Sequence, residues 1–378
     1  MPEVVAPKGP FLRLGFAAVL IFLLPLAGAA TAGKPLPPYL QFPPKTPDIP
    51  HAPFSLPVFL GLALLILATT APFFRRLLSF PAVPGPRSPA GSFPWWGWAG
   101  AALCAASWVL AWGRFPWMGA LQAHTFTPLW AAFILLVNAH SFRRTGRCLL
   151  LSRTRRFLLL FPVSAAFWWS FEYLNRFVGN WRYVGGPEFG TMEYFLFATL
   201  PFATVLPAVL SVRELLLSFP GLHGAFGEWR AVSPPGPKGI AIAMLLLSCA
   251  GLLAVGFVPD LVFPMVWVAP PLLLISLAAL RGEPHSLSGI AGGDWRVFAA
   301  SSLAALVCGF FWEMWNSGSL VKWVYDVPYV DAFHVFELPI LGYAGYLPFG
   351  VLCAEAGDLF LDGDGGAGKI FFSARRLR

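Results

Sequence analysis

Charged residues are scarce in this chain of 378 residues: Asp, Glu, Lys and Arg make up 12% of it, whereas 57% of the residues are hydrophobic. Soluble globular domains usually carry about 25% charged residues. This shortage argues against a soluble domain and predicts an integral membrane protein, in agreement with a mean hydropathy of +0.68.

Cysteine is also rare, and motifs for nucleotide or metal binding are missing from the sequence. The five cysteines show no CxxC spacing, which argues against a disulfide framework and against a zinc site. There is no glycine-rich nucleotide loop and no serine nucleophile elbow. His51, His124 and His334 come from separate loops without HxxH or HExxH spacing, so we predict neither a metal nor a cofactor.

The apolar residues fall into ten windows, most of them close to the ~17–25 residues that a membrane-spanning helix needs. The windows are Phe11–Ala30, Leu56–Leu78, Trp95–Trp112, Phe126–His140, Phe157–Phe177, Met192–Val212, Ile240–Val258, Leu261–Leu280, Val297–Trp315 and Phe336–Cys353. They predict an all-α, polytopic transmembrane helix bundle of about ten helices.

The distribution of basic residues predicts the orientation of these helices. With the N-terminus in the cytoplasm, 20 of the 26 Lys and Arg residues fall on the cytoplasmic side, as the positive-inside rule requires. We therefore predict a multi-pass protein of the bacterial inner membrane with both termini in the cytoplasm. The net charge of +8 then favours contact of the basic loops with anionic inner-leaflet lipid and not with nucleic acid.

The first apolar window has a second interpretation. Lys8 and Arg13 precede an apolar stretch that ends in Ala30-Thr31-Ala32, a pattern typical of a cleaved signal peptide. We favour an uncleaved helix, because the apolar stretch is long and Pro25 interrupts it near its outer end.

Two stretches of the chain share one order of residues: Glu-x-x-Asn, Trp-x-Tyr, Glu, Leu-Pro-Phe. The first copy holds Glu172, Asn175, Trp181, Tyr183, Glu193 and Leu200-Pro-Phe202, and the second holds Glu313, Asn316, Trp323, Tyr325, Glu337 and Leu347-Pro-Phe349. With the helices that precede them, the copies form two four-helix units of the same orientation, a parallel duplication with both Trp-x-Tyr loops facing outward.

The duplication sets the predicted organisation of the chain. Residues 1–94 contain two helices and a Pro-rich outer loop (33–54), 95–215 form the first unit, 216–239 a cytoplasmic linker, 240–357 the second unit, and 358–378 a flexible cytoplasmic tail. Seven prolines between Lys34 and His51 disfavour helix in the outer loop. The loop either covers a cavity mouth or is a linker, and we favour the linker.

The acidic residues of the two copies are the candidate catalytic groups: Glu172, Glu193, Glu313 and Glu337. Spacing of three places Glu172 and Asn175 on one helix face, as it does Glu313 and Asn316. An acid among apolar rings keeps its proton more readily than one in water, which suits a general acid. Glu193 and Glu337 are expected to begin the next helices, where the helix dipole favours a carboxylate.

The remaining polar and aromatic residues of the two copies, together with one nearby histidine, are candidate ligands of a substrate: Asn175, Trp181, Tyr183, Asn316, Trp323, Tyr325 and His334. Aromatic faces stabilise cations, so acids among Trp and Tyr rings suit either protonation of an alkene or recognition of a cationic head group. The alternative is that the whole set consists of interfacial anchors and interhelical hydrogen bonds.

The run Asn180-Trp-Arg-Tyr183, followed by Gly190-Thr-Met-Glu193-Tyr-Phe-Leu-Phe197, resembles an element of the heterodimeric-type membrane lycopene cyclases, as does Trp323-Val-Tyr325 with Glu337 more weakly. The resemblance covers about a quarter of the chain. It implies that Glu193 and Glu337 are acids in a cofactor-free cyclisation or isomerisation of a long isoprenoid. The chain also resembles bacterial polytopic membrane proteins in general, which implies no activity.

The sequence therefore favours an outward-facing cluster that binds a lipid or isoprenoid, with acid-catalysed cyclisation or isomerisation as its chemistry. A transporter or channel for a small solute is the first alternative, although it needs polar residues that continue to the cytoplasmic side. The second is a non-enzymatic protein of envelope assembly that uses the Pro-rich loop for docking. Whether the protein is an enzyme, and which proteins it contacts, stay open.

Overall fold

The computed structural model describes residues 9–44, 46, 49–80, 91–186 and 189–362. The described residues form fifteen α-helices and four short strands. In chain order these are α1 (Gly9–Thr31), α2 (Pro37–Leu40), α3 (Leu56–Ser79), α4 (Trp95–Trp112), α5 (Phe126–Thr145), α6 (Leu149–Ser152), α7 (Thr154–Val178), β1 (Trp181–Val184), α8 (Thr191–Phe202), α9 (Val205–Leu217), α10 (Pro220–Gly227), α11 (Pro237–Phe257), α12 (Pro259–Val262), α13 (Met265–Leu280), α14 (Arg296–Gly318), β2 (Lys322–Tyr325), β3 (His334–Val335), β4 (Leu338–Pro339) and α15 (Tyr346–Asp362).

The fold is all-α, and seven of its helical segments are long and apolar enough to cross a membrane. They are Phe11–Thr31, Leu56–Ser79, Thr154–Val178, Thr191–Leu217, Pro237–Phe257, Arg296–Gly318 and Ile340–Leu361. The bent pair Pro116–His124 and Phe126–Thr145 would add an eighth. Helices α4 and α13 match two further predicted windows. However, α4 carries five Trp residues along 18 positions and α13 has only 16 residues. Ten spanning helices therefore stay a prediction.

The last predicted window, Phe336–Cys353, starts too early. Its first residues form the turn and the second strand of the hairpin β3–β4, a 3-10 helix follows, and helix α15 begins only at Tyr346. Phe336 has a φ of 58°, and Pro339 offers no backbone N–H. At the other end α15 continues to Asp362, so the start of the predicted flexible tail is helical. Residues 363–378 lie outside the described residues.

Small residues allow the long helices to approach closely, as is typical of membrane bundles. A Cβ on Gly256 of α11 would overlap the carbonyl oxygen of Pro25 in α1. Likewise, a Cβ on Gly350 of α15 would overlap the carbonyl oxygen of Ser301 in α14. The backbones of these helix pairs are therefore in direct contact.

Helix α3 stands apart from the rest of the bundle, because none of its residues is buried. One end is fastened by Arg76, whose Nε donates to the carbonyl oxygen of Ala225 at 2.8 Å. At the other end the ring of Phe59 lies 5.3 Å from that of Phe333. Phe73, three residues before Arg76, also packs on the bundle, with its ring centroid 5.0 Å from that of Trp229. Between Phe59 and Phe73 the helix is separated from the bundle by a cavity.

The Pro-rich segment that precedes α3 packs on the bundle. Tyr39 stacks on Phe177 with ring centroids 4.4 Å apart, and Arg176 donates to the carbonyl oxygen of Pro38 at 3.0 Å. Part of the segment is the short helix α2, against our expectation that its prolines disfavour helix. Proline is tolerated in the first turn, where its missing N–H would have no partner in any case. These contacts favour a covering segment over a free linker.

Candidate functional site

The two Trp-x-Tyr segments pair with each other as an antiparallel two-stranded ribbon, β1 with β2. Trp181 lies opposite Tyr325, and Tyr183 lies opposite Trp323. The Trp of each strand thus faces the Tyr of the other, and the register is symmetric about the Arg182 and Val324 pair. The structure therefore brings the aromatic residues of both sequence copies to one place.

An asparagine at the end of α7 holds the first strand. Asn175 is fully buried, and its Nδ2 donates to the carbonyl oxygen of Trp181 at 2.7 Å while its Oδ1 accepts from the Trp181 N–H at 3.3 Å. The same Nδ2 donates to Oγ1 of Thr46, in the Pro-rich segment, at 2.8 Å. The Asn175 side chain therefore fixes both β1 and the Pro-rich segment.

One turn earlier on the same helix, Glu172 holds the aromatic side chains. Its Oε1 accepts from Tyr183 Oη at 2.7 Å, Trp168 Nε1 at 3.0 Å and Trp181 Nε1 at 3.2 Å. Glu172 is 1% exposed. We call the unit of Glu172, Asn175 and the strand they hold the first clasp.

The second clasp, formed by Glu313, Asn316 and β2, has the same backbone bonds. Asn316 Nδ2 donates to the carbonyl oxygen of Trp323 at 2.7 Å, and its Oδ1 accepts from the Trp323 N–H at 2.8 Å. Glu313 Oε1 accepts from Tyr325 Oη at 2.7 Å and from Tyr346 Oη at 2.6 Å.

The two glutamates share only the ribbon tyrosine as a type of partner. Glu172 also accepts from Trp168 and Trp181, whereas Glu313 also accepts from Tyr346, and Trp323 Nε1 donates to Tyr325 Oη instead. Trp168 lies four residues before Glu172, whereas Gly309 lies four residues before Glu313. A Cβ at Gly309 would overlap the Tyr346 ring. The glycine therefore leaves the space through which Tyr346 reaches Glu313.

The ribbon tyrosines remain protonated donors at ordinary pH. Burial, and then the neighbouring Glu172 carboxyl group, raise the pKa of Tyr183 well above its usual range. Burial and Glu313 do the same to the pKa of Tyr325. Their hydroxyl hydrogens are therefore available to the glutamates.

A cavity of about 1270 Å³ lies between the ribbon, α3 and the bundle. The residues that line it from α3 include Leu62, Ile66, Phe73 and Leu77. At a rise of 1.5 Å per residue, Leu62 and Leu77 are about 22 Å apart. The cavity is thus long, and the ribbon lies at one end of it.

The walls of the cavity are mostly apolar and aromatic. Among the described residues, Arg182 is the only charged residue that lines it. Tyr183, Tyr325 and Tyr346 line it too, whereas Glu172 and Glu313 do not and lie behind these rings. A ligand in the cavity would therefore touch the tyrosines and not the glutamates.

Of the other predicted site residues, Glu193 and His334 lie apart from the two clasps, whereas Glu337 pairs with Lys322 of β2. Glu193 begins α8 as expected, accepting from the Gly190 N–H at 3.1 Å, and it is exposed. The prediction that Glu337 begins a helix is wrong, because it lies in the turn between β3 and β4 and pairs with Lys322. Phe336, directly before Glu337, has the left-handed φ of 58° that a tight turn requires. Glu337 therefore belongs to the hairpin, and helix α15 starts only at Tyr346. His334 is exposed and contacts Asp331 at 3.0 Å.

Sequence reasoning did not select Tyr346 and α3, which shape the site. Tyr346 directly precedes the second Leu-Pro-Phe and faces Gly309 of α14. Its position next to a repeated motif was the one signal in the sequence that could have identified it. Helix α3 lies outside both copies and shows only an apolar run.

Polar side chains also gather at the end of the bundle far from the ribbon. Arg213 makes a two-pronged ion pair with Asp358, at 2.8 and 2.7 Å, and approaches Glu214 at 3.4 Å. None of these three residues lines the cavity. Within the part of the chain that the structure describes, no group of three or more His, Cys, Asp or Glu residues could hold a metal ion.

Comparisons of the chain with protein-family models, with curated proteins and with solved structures find no match. Function is therefore inferred from the fold and from the geometry of the site.

Proposed function

We propose that this protein binds the chain of a lipid or isoprenoid in the cavity beneath the ribbon. The observation that carries the proposal is the cavity itself, about 1270 Å³ in volume with apolar walls and a polar, aromatic end. Pockets for compact ligands usually measure about 300–1,000 Å³. A larger, elongated apolar space suits a flexible hydrocarbon chain.

The position of α3 supports entry of such a chain from the bilayer. The helix contributes one wall of the cavity and has no buried residue. A lipid that diffuses in the membrane would reach the cavity beside this helix without crossing water. The apolar walls offer little to a polar solute, which disfavours a channel.

We also propose that the two clasps arose by duplication and that the ribbon faces outward in a bacterial inner membrane. The matched Asn and Glu hydrogen bonds and the symmetric strand register support the duplication. The excess of Lys and Arg at the opposite end of the helices supports the orientation. In this orientation the basic loops would contact anionic inner-leaflet lipid.

The test uses two double variants of α3. Leu62→Trp with Ile66→Trp adds bulk on the face that lines the cavity, whereas Leu60→Trp with Leu64→Trp adds the same bulk on an exposed face that does not. Both proteins are purified, and co-purifying non-polar lipids are measured by mass spectrometry. We expect the first variant to lose a lipid that the wild type and the second variant retain. Equal lipid content in the wild type and both double variants would refute the proposal.

Acid chemistry on the bound chain is a second candidate. It is favoured by Tyr183, Tyr325 and Tyr346, which line the cavity and donate hydrogen bonds to Glu172 or Glu313. With the glutamate in its protonated form, each tyrosine O–H would turn to the ligand and pass it a proton while the carboxyl O–H of the glutamate passes its own proton to the tyrosine oxygen, so the tyrosine stays neutral and the glutamate becomes a carboxylate.

The variants Glu172→Gln and Glu313→Gln test this candidate, because glutamine keeps an oxygen acceptor for the tyrosine but holds no transferable acid proton. We expect the bound lipid to remain and its converted product to disappear. An unchanged ratio of product to precursor would leave binding alone as the function.

A further inference from the structure

A buried histidine fastens the segment that leads into α3. The side chain of His51 is 2% exposed. Its Nδ1 lies 2.9 Å from Oδ1 of Asp260 in α12, and its Nε2 lies 3.3 Å from the carbonyl oxygen of Gly179. The Ala52 N–H donates to the other carboxylate oxygen of Asp260 at 3.0 Å. The segment is thus tied to α12 and to the end of α7.

Both partners of the His51 ring accept hydrogen bonds and donate none. A neutral imidazole has one N–H group, whereas the imidazolium ion has two. Only the imidazolium ion therefore donates to the Asp260 carboxylate and to the Gly179 carbonyl oxygen at once. Gly179 is also the C-cap of α7, and the C-terminal end of a helix favours a positive charge.

Two other cations belong to the elements around this contact. Lys34, which follows α1, interacts electrostatically with Asp260 and donates to the carbonyl oxygen of Gly256 at 3.0 Å. Arg176, on the last turn of α7, donates to the carbonyl oxygen of Pro38 at 3.0 Å. Each has a backbone partner of its own, which leaves the Asp260 carboxylate to His51 and its neighbour.

The tie reaches the start of α3 through two backbone hydrogen bonds. The Tyr329 N–H donates to the carbonyl oxygen of Ala52 at 3.2 Å, and the Ser55 N–H donates to the carbonyl oxygen of Tyr329 at 2.9 Å. Ser55 directly precedes α3, which has no buried residue and forms one wall of the cavity. A loosened segment would therefore free one end of this wall.

The loop that receives the start of α3 is strained. Tyr329 and Phe333 have φ values of 64° and 54°, and the Phe333 ring contacts that of Phe59 in α3. Residues other than glycine adopt this left-handed conformation at a cost, and they keep it only where the surrounding contacts hold it. The strain favours release of α3 once one contact of the segment is lost.

We propose that His51, Asp260 and Gly179 form a pH-sensitive latch of the cavity. The imidazolium form of His51 holds the start of α3 on the bundle, and the neutral form lets this end move outward and exchange a lipid with the bilayer. The role in lipid exchange rests on the proposed binding function. Histidine gains or loses its charge between about pH 5 and 8. Because the closed state holds the proton, closure is favoured as the pH falls and is lost as it rises.

Distances between two spin labels measure the latch without any ligand. In a Cys249→Ser background the four remaining cysteines are buried, so nitroxides attach to Leu60→Cys near the start of α3 and to Met192→Cys at the start of α8. Both positions are exposed and neither lines the cavity. The full-length protein is measured in phosphatidylcholine nanodiscs at about pH 5 and about pH 8. We expect a single distance at the lower pH and an added, longer distance at the higher pH.

Two variants separate His51 from other titrating groups. Glutamine gains no proton in this range, so the labelled His51→Gln protein should show the longer distance at both pH values. His334→Gln is the matched control, because His334 is exposed and contacts Asp331 in the loop that receives α3. It should keep the pH dependence of the wild-type latch.

Lipid release tests the role of the latch in exchange. The protein, with the non-polar lipids that co-purify with it, is mixed with an excess of empty phosphatidylcholine nanodiscs, and the lipids that remain are measured by mass spectrometry. A hydrogen bond to a charged group shifts an equilibrium by about tenfold or more. We therefore expect release to be about tenfold faster at the higher pH than at the lower pH.

Each outcome decides a different claim. A distance that does not change with pH, or a change that survives His51→Gln, would overturn the latch whatever the cavity holds. Equal release at both pH values would overturn its role in exchange. If no co-purified lipid depends on Leu62 and Ile66, the binding function is wrong, and the spin-label distances still decide the latch. The pH comparison is made with His51 in place, so a misfolded His51→Gln protein would not protect the inference.

Discussion

Replacing a clasp asparagine by leucine should release one strand of the ribbon. In Asn316→Leu, the Trp323 N–H loses a hydrogen bond of 2.8 Å and the Trp323 carbonyl oxygen loses one of 2.7 Å. An unsatisfied polar group that is fully buried costs about 1–3 kcal/mol. The two backbone groups of Trp323 are only partly buried, so the free energy of unfolding should fall by about 1–3 kcal/mol in total. The equivalent Asn175→Leu should cost more, because the bond to Thr46 is lost as well.

The free energy is measured by titration of the purified protein from mild detergent into dodecyl sulfate, followed by circular dichroism. Hydrogen exchange of residues 322–325 reports on the strand itself and should accelerate in Asn316→Leu. Ser317→Ala is the matched control, since it removes a hydroxyl from the adjacent residue, where that hydroxyl donates to the Met314 carbonyl oxygen of the same helix. If Asn316→Leu is no less stable than Ser317→Ala, the clasp does not hold the ribbon.

Three further outcomes are expected. Gly309→Ala should lower the free energy of unfolding by about 1–3 kcal/mol, because its Cβ would overlap the Tyr346 ring; unchanged stability in the same titration would refute the overlap. Gly256→Ala should destabilise similarly by forcing α11 from α1. Burial and then the nearby Arg296 lower the pKa of His223. The unfolded chain therefore binds more protons, and stability should fall as the pH drops below about 6.5; His223→Gln should flatten that dependence.

The apolar windows Phe157–Phe177 and Val297–Trp315 predicted the ends of α7 and α14 to within three residues, because the apolar run stops where each helix ends, at Val178 and Gly318. The sequence did not predict that the two Trp-x-Tyr loops pair with each other. Strand pairing between segments so distant in the chain depends on how the helices pack, and four-residue strands carry little pattern of their own.

The role of the acids is harder to infer, because local sequence cannot tell a carboxylate that faces a ligand from one that faces its own protein. Glu172 and Glu313 meet side chains of the ribbon. Glu193 caps its helix and Glu337 pairs with Lys322. Four acids in one repeated order thus take three different structural roles.

These roles separate what shapes the site from what a ligand would touch. The glutamates and asparagines fix the ribbon from behind, whereas the tyrosines and the residues of α3 line the cavity. A substitution in the first group should change the shape of the cavity end, and therefore affinity and stability together. A substitution of Leu62 or Ile66, which line the cavity from a helix with no buried residue, should change affinity with little effect on stability. Measuring both quantities for one member of each group would distinguish a structural clasp from a ligand contact.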